Sequence, residues 1–168
     1  METGASSLPV FEEAMSLNKV GAFHQLFQHP VKEEPRIPSP DRCALRVNLL
    51  SEELQELKEA LDQGDLVEAA DALCDLQYVL SGAVHELGLG SKFASLFAEV
   101  HDSNMSKACT SLEQAEATAA RYLETKGEAC DIRRVGDKWM VYRSSDQKTV
   151  KSIGYRPADL QAILLSTP

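Results

Sequence analysis

The stretch SEELQELKEA, residues 51–60, places four glutamates in ten positions of a 168-residue chain whose formal net charge is already −9. At about 100° per residue, Leu50, Leu54, Leu57 and Leu61 form one apolar stripe of a helix. Leu45 and Leu49 lie on another side, and Glu52 and Glu56 continue their row, with Glu53 between the two faces. A solvated face accounts for Glu59 but not for acids that extend an apolar row. Downstream, Leu73, Leu76, Leu80, Val84 and Leu87 make a second stripe, and Asp71 and Asp75 line up opposite it with Tyr78 and Gly82. Glu68 shares that side, yet Asp65-x-x-Glu68 has the form of a capping box, with Asp in place of Ser or Thr. Like charges one turn apart destabilise a helix by ~0.2–0.5 kcal/mol, and a cation removes that cost. Carboxylates without Cys or His suit a hard ion, Mg²⁺ or Mn²⁺, which usually arrives with phosphates.

The elements that must position these acids follow from punctuation. Phe11, Met15, Phe23 and Phe27 predict an amphipathic helix over 10–28. HPVKEEPRIPSP, residues 29–40, holds four prolines and predicts an extended connection. The acid-bearing helices should run from Pro40 or Asp41 to Gln63 and from an Asp65 cap to Leu87, with Gly64 ending the first. A fourth helix is expected over 91–108, and a fifth from a Ser111 cap to Thr125 with Glu113 and Glu116 in its first turn. DIRRVGDKWMVYRSS predicts two strands around a Gly-Asp turn, and Pro157 can open a short last helix through Leu165. The expected architecture is mainly α, a single domain over 1–168 forming an antiparallel helical bundle with a small β-hairpin near the C-terminus.

Composition limits the function classes. Acids outnumber bases 26 to 17, which argues against a nucleic-acid polymer or anionic-membrane surface. No apolar run reaches the ~18–20 residues of a membrane span, and METGASSLPVFEE has no signal-peptide pattern. Cys43, Cys74, Cys109 and Cys130 are scattered without C-x-x-C, so buried structural thiols in a reducing cytoplasm are expected.

The order Glu52-Glu53-x-x-Glu56, then AADALCDLQYVLSGA, then EVHDSNMSKA resembles the all-α nucleoside triphosphate pyrophosphohydrolases, the MazG-like, phosphoribosyl-ATP pyrophosphohydrolase-like and dimeric dUTPase group. The likeness spans about 17–109 and resumes at KSIGYRPADL. It implies a dimeric or tetrameric helical bundle, Mg²⁺ between the acidic helices, and hydrolysis of a nucleoside triphosphate to the monophosphate and pyrophosphate. Within it, Glu52, Glu56 and Asp75 fall on metal ligands and Glu53 on the acid that binds metal or activates water. The second motif is usually Glu-x-x-Asp. If Asp75 is its aspartate, Ala72 stands at the glutamate position and Asp71 substitutes; if Glu68 and Asp71 are the pair, Asp75 is an additional acid. Asn104 and Lys107, i and i+3 on the fourth helix, fall on contacts to substrate phosphate or sugar. Lys148, Lys151 and Arg156 are further basic residues that could meet a triphosphate, and Arg46 could reach phosphate or neutralise the acids. Residues 110–146 depart from the resemblance as an inserted helix and hairpin between the 10–109 helices and the 147–168 tail.

The expected mechanism is Mg²⁺-dependent, with Glu53 orienting or deprotonating the attacking water. Phosphoribosyl-ATP as substrate and a non-catalytic nucleotide-sensing or interaction module are the rival readings. Phe23, His24 and Tyr78 are candidates for contacting a base and equally good core residues. Both acidic helices are apolar on two sides, which predicts a homodimer or a dimer of dimers.

Overall fold

A computed structural model describes residues 11–166. They contain six helices and one two-stranded hairpin, so the chain is mainly α with the hairpin near its C-terminal end, as expected. The chain divides into two compact units, one ending at Phe93 and the other continuing from Ala94.

In the first unit α1 (Ser16–Leu26), α2 (Pro40–Gln63) and α3 (Leu66–Glu86) pack with α3 against both others. α1 is shorter than the predicted 10–28. Met15 takes a left-handed conformation, φ 52°, just before it, so Phe11 and Met15 stay outside the helix and exposed; Val10 lies outside the described residues. Pro40 occupies the first turn of α2, where its missing N–H costs nothing. Gly64, at φ 70°, ends α2 in a Schellman turn: its N–H bonds Leu61 O at 3.2 Å, and Asp65 N–H bonds Ala60 O at 2.9 Å. Asp65 then caps α3 through Oδ1, which accepts Val67 N–H at 3.0 Å and Glu68 N–H at 3.1 Å. Two helices joined this tightly must run antiparallel.

The proline-rich connection is pinned to the end of α3, with Lys32 N–H on His85 O and Arg36 N–H on Leu87 O, both at 2.9 Å. A Cβ on Gly88 would lie 1.9 Å from Glu34 O, so only glycine admits that approach.

The leucine stripes do not form the centre of this unit. Leu54, Leu61 and Leu73 are 58%, 64% and 56% exposed, whereas Ala60, Ala69 and Ala72 are buried. Small residues set the close approach, Val20 and Val84 are buried with them, and Leu54, Leu61 and Leu73 face outward.

In the second unit α4 (Phe93–Met105) leads to α5 (Leu112–Lys126), β1 (Cys130–Val135), β2 (Lys138–Arg143) and α6 (Leu160–Leu165). The strands pair antiparallel, with Ile132 opposite Val141, around Gly136 at φ 61°. Ser111 caps α5 by accepting Gln114 N–H at 3.2 Å. Cys109, Ala115, Val141 and Val150 form the core, with Tyr122, Ile132 and Trp139 packed on it. The segment after the hairpin belongs to the same core: Val150 N–H bonds Val141 O at 3.0 Å, and Ile153 N–H bonds the buried Thr118 Oγ1 at 3.1 Å. α6 starts later than Pro157, with Asp159 as its cap. Cys109 is buried as expected and Cys74 is exposed.

Candidate active site

Glu53 stands eleven residues before Gly64, and Asp75 eleven after it. On an antiparallel helix pair hinged at that glycine, equal distances bring the two acids level. Glu56, eight residues before the glycine, and Asp71, seven after it, come within one residue of level, nearer the turn. Asp71 and Asp75 share one face of α3 at i and i+4, and Glu52 and Glu56 share one face of α2.

The electrostatics agree with this placement. Glu53 is half-buried, and Glu52, Glu56, Asp71 and Asp75 are exposed. The Glu53 carboxyl is pushed above the ordinary glutamate range, first by burial and then by the charges of Glu56, Asp75, Glu52 and Asp71. The structure thus brings five predicted acids into one negative field centred on Glu53. Among the described residues no three His, Cys, Asp or Glu side chains are grouped tightly enough to hold a metal ion as they stand. These side chains are nevertheless all carboxylates, which suits a hard divalent cation.

Glu68 differs from its expected role. The Asp65 N–H that a capping box would give to Glu68 bonds Ala60 O instead, so only the Asp65 half of the box forms. The carboxylate of Glu68 is exposed on the first turn of α3.

One turn from Asp75, and one turn from Glu52 and Glu53 along α2, a hollow of about 210 Å³ is lined by Phe23, His29, Leu49, Tyr78 and Val79 among others. Phe23 meets Tyr78 edge-on at 5.4 Å and stacks on His29 at 5.8 Å. His24 is buried, its Nδ1 paired with Pro30 O at 2.9 Å. It lines the same hollow as the Phe23 and Tyr78 rings.

Arg46 and Arg42 line the same hollow, and Arg46 is engaged by an acid outside the Glu53 cluster. It bonds Glu86, as does Arg42, whose Nε donates to Glu86 Oε2 at 3.1 Å. Glu86 is 1% exposed. Burial opposes its charge, but the two guanidinium groups outweigh it and hold the carboxyl below the ordinary glutamate range. Gly82 makes the room: a Cβ there would come within 2.7 Å of Arg46 Nη1. The sequence reading missed Glu86, although an acid between Val84 and Leu87 in an apolar stripe, with two arginines at i and i+4 on the preceding helix, was a usable signal.

The basic candidates all belong to the second unit. Asn104 is on α4, but Lys107 lies beyond its end and donates Nζ to Asn104 Oδ1 at 2.7 Å. Lys107, Lys148 and Lys151 line one cleft of about 420 Å³. Arg156 is not among its lining residues and pairs with Glu99 at 2.9 Å, an acid that also accepts Asp159 N–H at 3.0 Å.

Residues 20–104, half of the chain, match the family described as phosphoribosyl-ATP pyrophosphohydrolase. The chain belongs to that family. The match contains α2, α3 and all the acids gathered around Glu53, and it stops before Lys107, α5 and the hairpin. The phosphoribosyl-ATP pyrophosphohydrolase family lies within the all-α superfamily that the motifs resemble, and its members are typically divalent-metal dependent. The protein described as "Uncharacterized protein L479" of Acanthamoeba polyphaga mimivirus is 33% identical over 82 residues, 46% of this chain. That stretch is 33% of the viral protein, so the chain spans about a third of the curated relative it matches. No helix among the described residues is long and apolar enough to cross a membrane.

Proposed function

We propose that the first unit is a divalent-metal-dependent pyrophosphohydrolase that converts a nucleoside triphosphate to the monophosphate and pyrophosphate. The observation that supports this most is the half-buried Glu53 within the field of four further carboxylates from two helices. Glu52, Glu56, Asp71 and Asp75 are the proposed ligands, with Glu68 as an alternate to Asp75 now that its side chain is not engaged in a cap. Mg²⁺, with Mn²⁺ as substitute, supplies charge neutralisation of the phosphates and activation of water.

Glu53 is the proposed general base. It takes a proton from water as the water oxygen attacks phosphorus, and the bond to the pyrophosphate oxygen breaks. A carboxylate whose proton affinity is raised is a better acceptor than an ordinary glutamate. The hollow beside Phe23 and Tyr78 is smaller than the ~300 Å³ at which whole-ligand pockets begin, so it suits a base alone. The exposed leucines of α2 and α3 support a homodimer or a dimer of dimers, and the cytoplasm remains the proposed location.

The direct test is pyrophosphate release from a panel of ribo- and deoxyribonucleoside triphosphates with Mg²⁺, with phosphoribosyl-ATP in the same panel. Release from a triphosphate supports the proposal. Release from phosphoribosyl-ATP alone would give the substrate in the family's description, and release from none would reduce the protein to a binding module.

A further inference from the structure

The second unit holds a concentration of positive charge that the acidic composition does not foretell. The cleft of about 420 Å³ is lined by Lys107, Lys126, Arg143, Lys148 and Lys151, with Tyr122 at its side and Glu128 as its one acid. Arg143 is already spoken for, pairing with Glu128 at 3.0 Å and Asp146 at 2.8 Å. The four lysines have no such ion pair, although the charge of Lys148 is felt by Asp146. Among the described residues no carboxylate comes within 4.0 Å of any of their ammonium groups. Lys107 has the neutral amide of Asn104, Lys126 lies 4.6 Å from the Tyr122 ring centre, and Lys151 lies 4.4 Å from that of Tyr155.

This convergence is built by the fold. Lys126 is the last residue of α5 and Lys107 follows α4, while Lys148 and Lys151 sit on the segment that runs back along β2. That segment is fixed by Arg143 N–H on Lys148 O at 2.9 Å and by Lys151 N–H on Tyr122 Oη at 3.2 Å. Val150 and Ser152 are buried, which turns Lys151 outward. The charge is felt nearby: the Tyr155 hydroxyl is held below the ordinary tyrosine value, first by its hydrogen bond with Ser103 and then by the charges of Lys151 and Lys107. Like charges gathered this way repel unless an anion joins them.

We propose that this cleft binds an oligophosphate, pyrophosphate or the phosphate tail of a nucleotide, with Lys107, Lys126, Lys148 and Lys151 as its ligands. Residues 110–146 then have a role, because they supply Lys126 and the wall against which Lys148 and Lys151 are set. The ammonium groups come from four separate positions around one hollow, which suits a compact ligand with several anionic oxygens. A single phosphate would leave most of them unanswered. The choice of oligophosphate rests on the proposed hydrolysis, whereas the anion cleft itself does not.

Isothermal titration of the full chain with inorganic pyrophosphate in EDTA reads this site without turnover. Binding is expected, and Lys126→Glu with Lys148→Glu should weaken it more than 10-fold while Lys126→Arg with Lys148→Arg retains it. An α,β-methylene nucleoside triphosphate that displaces pyrophosphate identifies the nucleotide tail as the ligand, and one that fails to displace it identifies free pyrophosphate; either supports the cleft. No binding by the native chain overturns the proposal, as does binding indifferent to the charge reversals. Binding of duplex DNA in place of pyrophosphate overturns it too. Mg²⁺-dependent pyrophosphate release reads the first unit separately, so either proposal can fail while the other stands.

Discussion

Arg46 and Glu86 are joined across α2 and α3, forty residues apart in sequence, and the carboxylate they share with Arg42 is almost wholly buried. This triad ties the two acid-bearing helices together at the end remote from Gly64. Removing one partner of a buried pair leaves an uncompensated charge and costs roughly 3–5 kcal/mol. Glu86→Ala should therefore lose stability of that order in urea denaturation. Because the folded carboxyl titrates below its ordinary value, its contribution is full above the unfolded glutamate value, about 4.3, and disappears as pH falls through the lower folded value. The native protein should lose stability on acidification in that window, and Glu86→Ala should lose less.

Glu53 has the opposite sign. Its folded carboxyl titrates above the unfolded value, so without metal the native state holds the extra proton between the two, and stability falls as pH rises through that interval. Melting temperatures of the EDTA-treated protein should decline there, and Glu53→Gln should flatten the decline. Mg²⁺ should restore turnover to an inactive apo protein and raise the melting temperature by binding the folded state. Equal activity in EDTA would sink the metal reading.

Glu53→Gln keeps shape and removes the basic oxygen. Turnover should drop by roughly 10²–10⁴ while Mg²⁺ still raises the melting temperature. Near-native turnover would return Glu53 to a structural role.

The register of the second motif can be decided by two amide substitutions. Asp71→Asn should abolish turnover, since Asp71 belongs to the proposed set under both alignments. Glu68→Gln should leave stability within about 0.5 kcal/mol, because its side chain plays no part in the Asp65 cap. A loss of turnover as deep as that of Asp71→Asn would make Glu68 and Asp71 the pair and Asp75 the additional acid.

Local signals were legible wherever one residue decides the backbone. Pro40, Gly64 and Asp65 gave the α2–α3 hairpin to within one residue of its observed bounds, and Ser111 and the Gly136 turn gave the start of α5 and the strands. The level placement of Glu53 and Asp75 follows from that hinge alone. What periodicity could not give was which apolar stripe is covered. Ala60, Ala69 and Ala72 allow the closest approach, so the small residues were buried and Leu54 and Leu73 were not. Partners distant in sequence were also hidden. The pairing of Arg46 with Glu86 could not be read from periodicity, and Lys126 had no visible link to Lys148 before the tail is placed on α5 and β2.

Those uncovered leucines supply the last prediction. Leu54 and Leu61 lie seven residues apart on α2, two turns along one face, and Leu73 lies on the helix beside them; all three are more than half exposed. Leu66 and Val67 at the start of α3 are 82% and 76% exposed. Burying a leucine is worth roughly 1.5–3 kcal/mol, so covering these side chains with another apolar surface would stabilise the helical pair, and a second copy would offer a matching one under two-fold symmetry. Light scattering at micromolar concentration should give twice or four times the chain mass. Leu54→Glu with Leu61→Glu should shift the population to monomer and lower the melting temperature, since a negative charge at each site would face its own kind across the axis. A native chain that is monomeric and fully active would show that the α2–α3 pair needs no partner and that its exposed leucines are an ordinary surface.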